Sequence, residues 1–156
     1  IALGNSNNYQ EAINVASRIG RGRALHQEAQ TNIRRWRGEI TAQQDLQRAY
    51  QIAQNNDHQS LSQAINIARR IPANSSVSVQ SRQAVNMWSE QILLVARRTA
   101  DVYSPPTLEN AISIARMIPR ESSVFSTAQQ QISRWQNFLS NPNTNQDPLI
   151  RESSSF

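Results

Sequence analysis

One pattern occurs three times in this chain and restricts the possible fold more than any other feature. A segment of the form Ala-Ile-x-x-Ala-x-x-Ile ends at a glycine or a proline, and a tryptophan follows sixteen residues after that breaker. The three segments are residues 12–20, 64–72 and 111–119, and they lead to Trp36, Trp88 and Trp135. A fixed internal spacing of this kind is the sequence signature of a repeat architecture.

Apolar residues within each copy recur at helical spacing. In the first copy they predict a helix over residues 8–19, with Asn8 and Glu11 at the spacing of a capping box. A second helix is expected to start near residue 23. The apolar stripe of this second helix reads Leu25, Ala29, Ile33, Trp36 and Ile40, then Val77, Ser81, Val85, Trp88 and Ile92, then Val124, Ala128, Ile132, Trp135 and Leu139. Each copy is therefore predicted to be a helical hairpin with its tryptophan in the core.

The segments between the copies predict linking helices. After the first copy we expect a third helix over residues 41–55, and Ser60 with Gln63 repeats the capping-box spacing before the second copy. The next connection is five residues shorter, so its linking helix should be compressed or fused with the helix before it. Pro105 and Pro106 should stop that segment before Thr107 opens the following helix.

These expectations combine into an all-α chain of about seven helices that stack as a short α-solenoid. Its helical repeat domain covers residues 1–140, in units of about 1–54, 55–104 and 105–140, and a polar linker or tail covers residues 141–156. Ile1 and Ala2 precede the first copy as Ile52 and Ala53 precede the second. We therefore expect the chain to be cut from a longer array.

Composition excludes several classes of function. The chain has no cysteine, which rules out disulfides, a thiolate nucleophile and zinc-thiolate sites. Its longest apolar run, residues 92–96, is far below the ~20 residues that a membrane-spanning helix needs. Neither a signal nor a transmembrane segment is visible, so the compartment stays open, with the cytoplasm preferred.

Arginine supplies the whole basic charge, because the chain has sixteen arginines, no lysine and a net charge of +5. The densest group lies in the first copy: Arg21, Arg23, Arg34, Arg35 and Arg37. One interpretation is a phosphate or carboxylate site beside a helix N-terminus, or a surface that binds a partner. The other is a solvated helix face whose arginine stems cover apolar surface. The sequence leaves both open.

No pattern of catalytic residues accompanies the repeat. His26 and His58 lie far apart and lack a partner at ligand or triad spacing. The serine pairs at residues 75–76 and 122–123 are placed to cap the following helices, and no glycine-rich phosphate loop is present. We expect no enzyme activity, no cofactor and no metal site.

The repeated unit resembles tandem TPR-like helical repeats of cyanobacterial multi-repeat proteins. The resemblance rests on the Ala-Ile-x-x-Ala segment, and then on Ala29-Gln30 leading to Ile33 and Trp36 and on Ala128-Gln129 leading to Ile132 and Trp135. The second copy departs from it, with Ser81-Arg82 in that place. The resemblance implies a protein-interaction module joined to other domains, and it implies no chemistry. The spacing differs from the 34-residue TPR unit, so the peptide-binding positions of TPR proteins do not transfer.

The sequence therefore favours a non-catalytic scaffold that binds an unidentified protein partner or its own copies, as part of a larger protein. The alternative is a nucleic-acid or phosphate-binding module that acts through the arginines. No membrane insertion is expected of this segment.

Overall fold

The regular structure of the described residues is entirely α-helical. The computed structural model describes residues 2–101 and 104–141, with side chains from residue 8 onward. In chain order the helices are α1 (Ala2–Ala16), α2 (His26–Ala53), α3 (His58–Ala68), α4 (Ser78–Thr99), α5 (Pro105–Ala115) and α6 (Phe125–Ser140). The predicted all-α class is confirmed. The expected polar tail lies outside the described residues apart from Asn141.

Three pairs of helix boundaries fall at equivalent positions of the repeated pattern. The last residues of α1, α3 and α5 are Ala16, Ala68 and Ala115, which occupy the same place in their copies. The first residues of α2, α4 and α6 are equivalent in the same way. The turns between them contain the glycine or proline of each copy, and neither residue favours continuing a helix.

α2 differs most from the sequence-based expectation. The two helices predicted over residues 23–40 and 41–55 form one continuous helix of 28 residues. Gly38 lies near the expected break, but a glycine inside a helix costs only about 1 kcal/mol, and the segment contains no proline. The described part of the chain accordingly holds six helices rather than about seven. α4 is also continuous, so the second linking helix is fused with the helix before it, one of the two outcomes expected.

Two of the predicted helix starts were placed too late in the sequence. α1 begins at Ala2, so Asn8 lies inside the helix and does not cap it. α5 begins at Pro105 rather than Thr107, because proline fits the first turn of a helix, where its missing N–H has no partner to lose. Ser104 precedes it, and its backbone amide donates to the Thr107 hydroxyl at 3.1 Å.

The start of α3 is capped by Asp57, not by Ser60 as the spacing suggested. Asp57 Oδ1 accepts the backbone amides of Gln59 and Ser60, both at 2.9 Å, and Oδ2 accepts the Ser60 hydroxyl at 2.6 Å. These bonds favour the ionised carboxylate, so they hold the pKa of Asp57 below its ordinary value, with the Ser60 hydroxyl as the largest cause.

The chain forms two compact units, Ile1–Trp88 and Ser89–Phe156. In the first unit α2 packs against both α1 and α3. One core cluster joins Ile13 and Ala16 to Ala29 and Ile33, and Ile19, Trp36 and Ile40 pack against it. A second cluster contains Ala42, Leu46, Ile71 and Val77. The first half of α2 therefore belongs to one cluster and its second half to the other.

In the second compact unit α5 packs against α6. Its buried apolar residues include Leu108, Ala111, Ile112, Ala128, Ile132 and Trp135. Trp135 is 1% exposed, and Trp88 of the first unit is 2% exposed. Trp36 is only partly buried, unlike these two equivalents.

The three tryptophans should therefore differ in their contribution to stability. Replacing Trp88 by alanine is expected to lower the free energy of unfolding by about 3–5 kcal/mol, the usual cost of emptying a buried aromatic site. Trp36→Ala should cost clearly less, because part of its ring already faces water. Urea denaturation followed by far-UV circular dichroism measures both. Equal losses in the two variants would contradict this assignment.

The Asp57 cap predicts a specific change in pKa. Ser60→Ala removes the hydroxyl bond and should raise the pKa of Asp57 towards its ordinary value, while the two amide bonds remain. Because the folded-state pKa is the lower one, the cap stabilises α3 at neutral pH and is lost as pH falls through that value. A carboxyl ¹³C NMR titration measures the shift, with Ser62→Ala as the control. An unchanged Asp57 pKa in Ser60→Ala would show that the hydroxyl bond is absent in solution.

Candidate functional site

An open apolar groove of about 630 Å³ lies between α1 and α2. It lies wholly within the first compact unit. Its lining residues are Asn8, Glu11, Ala12, Val15, Ala16, Ile19, Leu25, Glu28, Ala29, Asn32 and Trp36. We call it the α1–α2 groove. Most of these side chains are aliphatic or aromatic, so the groove suits an apolar ligand surface.

The turn between α1 and α2 shapes one end of the groove. The Ser17 hydroxyl donates to the Ile13 carbonyl at 2.6 Å, and Gly22 has a φ of 87°, which a residue with a Cβ rarely adopts. His26 Nδ1 lies 2.9 Å from the carbonyl oxygen of Ile19, so this ring nitrogen carries the hydrogen and donates it. His26 therefore fastens the turn to the start of α2, a structural role at the edge of the hairpin.

The groove exposes large apolar side chains to solvent. Val15 is 62% exposed and Leu25 is 60% exposed, while Ala16 and Ala29 are buried. Trp36 is partly buried and packs against the same core cluster. Single exposed apolar residues are normal on a protein surface, but a group of them in one concavity is typical of an interaction site.

The polar residues of the groove are two carboxylates and two amides. Glu11 and Glu28 are both exposed, so their carboxylates are accessible to an occupant of the groove. Asn8 and Asn32 each offer an amide donor and a carbonyl acceptor. The equivalents of the two acids in the second copy are Gln63 and Gln80. The first copy is therefore more acidic at these positions.

The five arginines that the sequence suggested as a binding site do not lie in the groove. All five arginines are exposed, and none of them lines the groove. Arg21 and Arg23 lie in the turn, and the other three lie on α2. Successive helix residues point 100° apart, so Arg34 and Arg35 diverge on the solvent side, while Arg37 lies closer to the apolar stripe. A guanidinium nitrogen of Arg34 donates to the Thr31 hydroxyl at 3.4 Å. Arg34 and Arg37 are three positions apart and therefore lie about 60° apart around α2, whereas Arg35 lies about 100° from Arg34.

Reasoning from the sequence missed the groove. It placed Leu25 and Trp36 in a buried stripe, and it did not count Val15 among the residues that pack in the hairpin. The sequence does indicate that Val15 lies at an apolar position of the repeat, because the equivalent residues of the other two copies are Ile67 and Ile114. Ile114 is 8% exposed, so this position can be part of a core.

The comparisons with known proteins give no identification. No protein-family model, curated protein or solved structure matches this chain. Within residues 2–101 and 104–141, no group of three or more histidine, aspartate or glutamate side chains could hold a metal ion. None of the helices in that part of the chain combines the length and the apolarity needed to span a membrane.

The environments of the tryptophans can be tested by fluorescence. Trp36 should supply most of the emission that acrylamide quenches, since Trp88 and Trp135 are buried. Trp36→Phe should therefore remove most of the accessible fraction in a Stern–Volmer plot, and it should also shift the remaining emission to the blue. Trp88→Phe is the matched control and should leave the accessible fraction in place. If Trp36→Phe leaves quenching unchanged, the groove is closed in solution.

Proposed function

We propose that this chain is a non-catalytic helical-repeat scaffold that mediates protein–protein interaction or self-association, as part of a larger protein. The binding site is the α1–α2 groove. The observation that carries the proposal is the exposure of Val15 and Leu25 beside a partly buried Trp36, in one concavity formed by two helices. Burial of such side chains is the main favourable term in protein association.

The exposed apolar side chains of the groove can supply part of the free energy of binding. Fully burying a side chain of this type gains about 1.5–3 kcal/mol, so covering the exposed parts of Val15 and Leu25 should gain about 1–2 kcal/mol each. Trp36 adds an aromatic anchor of the kind that dominates interface energetics. A groove between two helices suits an amphipathic helix, which places its apolar stripe along the groove.

The chemistry of the groove supports a binding role rather than catalysis. Among the described side chains that line it, from Asn8 onward, there is no histidine, serine or threonine, and the only ionisable groups are Glu11 and Glu28. Neither acid has a nucleophile or a base among the lining residues to work with. We assign it no cofactor.

The wider architecture in this proposal is a short α-solenoid of TPR-like repeats. Its support is the threefold sequence pattern, together with the equivalent ends and starts of the helices in the three copies. The cytoplasm is the proposed compartment.

The alternative function, arginine-dependent binding of nucleic acid or phosphate, has weaker support. The five arginines of the first copy are exposed, but none of them lines the groove on which the proposal rests. A complex held by phosphate contacts weakens log-linearly with salt, whereas an apolar protein interface does not.

Selection from a displayed library of helical peptides tests the proposed function. Enriched peptides are expected to carry an apolar stripe and to bind about tenfold or more weakly to a Val15→Asp/Leu25→Asp variant, because a charge in the groove must stay hydrated. Val79→Asp is the matched control, because Val79 is also apolar, 55% exposed and outside the groove. Fluorescence anisotropy measures each dissociation constant.

Two results would overturn the proposal. One is the absence of any enriched peptide that discriminates between the groove variant and the Val79 control. The other is tight binding of labelled DNA or RNA that falls steeply with salt and is lost in an Arg21/Arg23/Arg34/Arg35→Gln variant.

A further inference from the structure

The second copy of the pattern shows what an occupied groove looks like. Ile19, Leu25 and Trp36 of the groove are equivalent to Ile71, Val77 and Trp88. Leu25 is 60% exposed and the other two are partly buried, but their three equivalents are 9%, 7% and 2% exposed. The same positions are therefore covered in one copy and open in the other.

The cover of the second copy is the C-terminal half of α2. Ala42 and Leu46 form one buried cluster with Ile71 and Val77. One turn further along, the ring of Tyr50 packs edge-on against Trp88, with centroids 5.2 Å apart and planes 72° apart. This geometry is a favoured one for aromatic pairs. Residues 42–50 thus occupy the place that corresponds to the α1–α2 groove.

A polar contact at one end fixes the direction of the covering helix. Glu39 precedes the covering stripe by one turn, and its carboxylate accepts the Ser75 hydroxyl at 3.0 Å. It also accepts the Ser76 amide at 3.1 Å and the Ser76 hydroxyl at 2.9 Å. The equivalents of these serines in the first copy are Arg23 and Ala24. A helix docked there in the same way would bring its acidic residue to Arg23, an ion pair in place of hydroxyl bonds.

The second compact unit contains the same type of stripe. Ala42, Leu46, Ala49 and Ala53 of α2 correspond in spacing to Ser89, Leu93, Ala96 and Ala100. These four residues are 0%, 5%, 0% and 2% exposed. A small residue, a leucine and an alanine at these intervals are therefore buried in both places, while the final alanine of the α2 stripe, Ala53, is partly buried. Small residues let helices approach closely, so this stripe is a requirement of shape as well as of hydrophobicity.

We propose that the α1–α2 groove is the docking site for an amphipathic helix that carries the stripe of residues 42–53. The stripe begins with a small residue, as at Ala42, and a leucine follows four positions later, as at Leu46. An alanine and a tyrosine come next, as at residues 49–50, and an alanine ends the stripe, as at Ala53. An acidic residue lies one turn before the stripe, as Glu39 does. The tyrosine packs edge-on against Trp36, and the acid pairs with Arg23. This inference rests on the proposed function and names the partner of the same site.

The probe is a fluorescent peptide of residues 39–55, cross-linked between positions 47 and 51. Both positions are exposed on α2, so the cross-link stays off the apolar stripe. It is needed because isolated helices of this length are marginal in water. Added to the whole chain, the peptide should bind with micromolar affinity and shift the Trp36 emission to the blue. Loss of that shift in Trp36→Phe locates the peptide in the groove.

Matched variants test each contact. Leu25→Asp in the chain and Leu46→Asp in the peptide should each weaken binding by about tenfold or more, while Val79→Asp should change nothing. Glu39→Gln in the peptide should weaken binding by about threefold in the wild-type chain and have no further effect in Arg23→Gln, as expected if the two charges pair.

No binding up to millimolar peptide, or binding that Leu25→Asp does not weaken, would overturn the inference. Groove-dependent library peptides without this stripe would also overturn it, but would leave the proposed function standing. If neither the library nor this peptide yields groove-dependent binding, both proposals are wrong.

Discussion

The continuity of α2 is the constraint on which the first compact unit depends. This helix of 28 residues gives its first half to the cluster with α1 and its second half to the cluster beyond α3. A break near Gly38 would uncouple the two clusters. Because most helical stability in proteins comes from packing rather than intrinsic propensity, burial of apolar stripes at both ends compensates for the cost of the glycine.

The helices on either side of each glycine or proline breaker were predictable, because their information is local and repeated. The apolar spacing, the breaker and the tryptophan occur three times, so one accidental match could not produce them. The helix junctions were harder. The break expected after Ile40 is absent, because the segment contains no proline and apolar stripes on both sides of Gly38 are buried, which favours one continuous helix. Asp57 was not predicted to be the cap, because Ser60 and Gln63 have the spacing of a capping box.

The candidate site was less predictable for a different reason. Sequence periodicity identifies which residues share a face, but it does not say whether another helix covers that face. Trp36 and Trp88 have the same place in the pattern, yet one is partly open and the other is closed by Tyr50. Tyr50 lies outside the second copy, so the sequence of a copy alone does not indicate what covers its tryptophan.

The second copy supplies a physical explanation for the glycine–arginine turn of the first. Where Ser75 and Ser76 bind Glu39 through an amide and two hydroxyls, the first copy offers Arg23 at the equivalent position of a turn that contains Gly22. A covering helix tethered next to its groove is held at high effective concentration, so bonds from a neutral amide and neutral hydroxyls to its carboxylate are sufficient to align it. A helix without such a tether gains more from a charge that also acts at longer range. In the docking proposal, Arg23 and the open apolar groove are therefore two parts of one surface, which neither the charge pattern nor the apolar pattern indicates when taken alone.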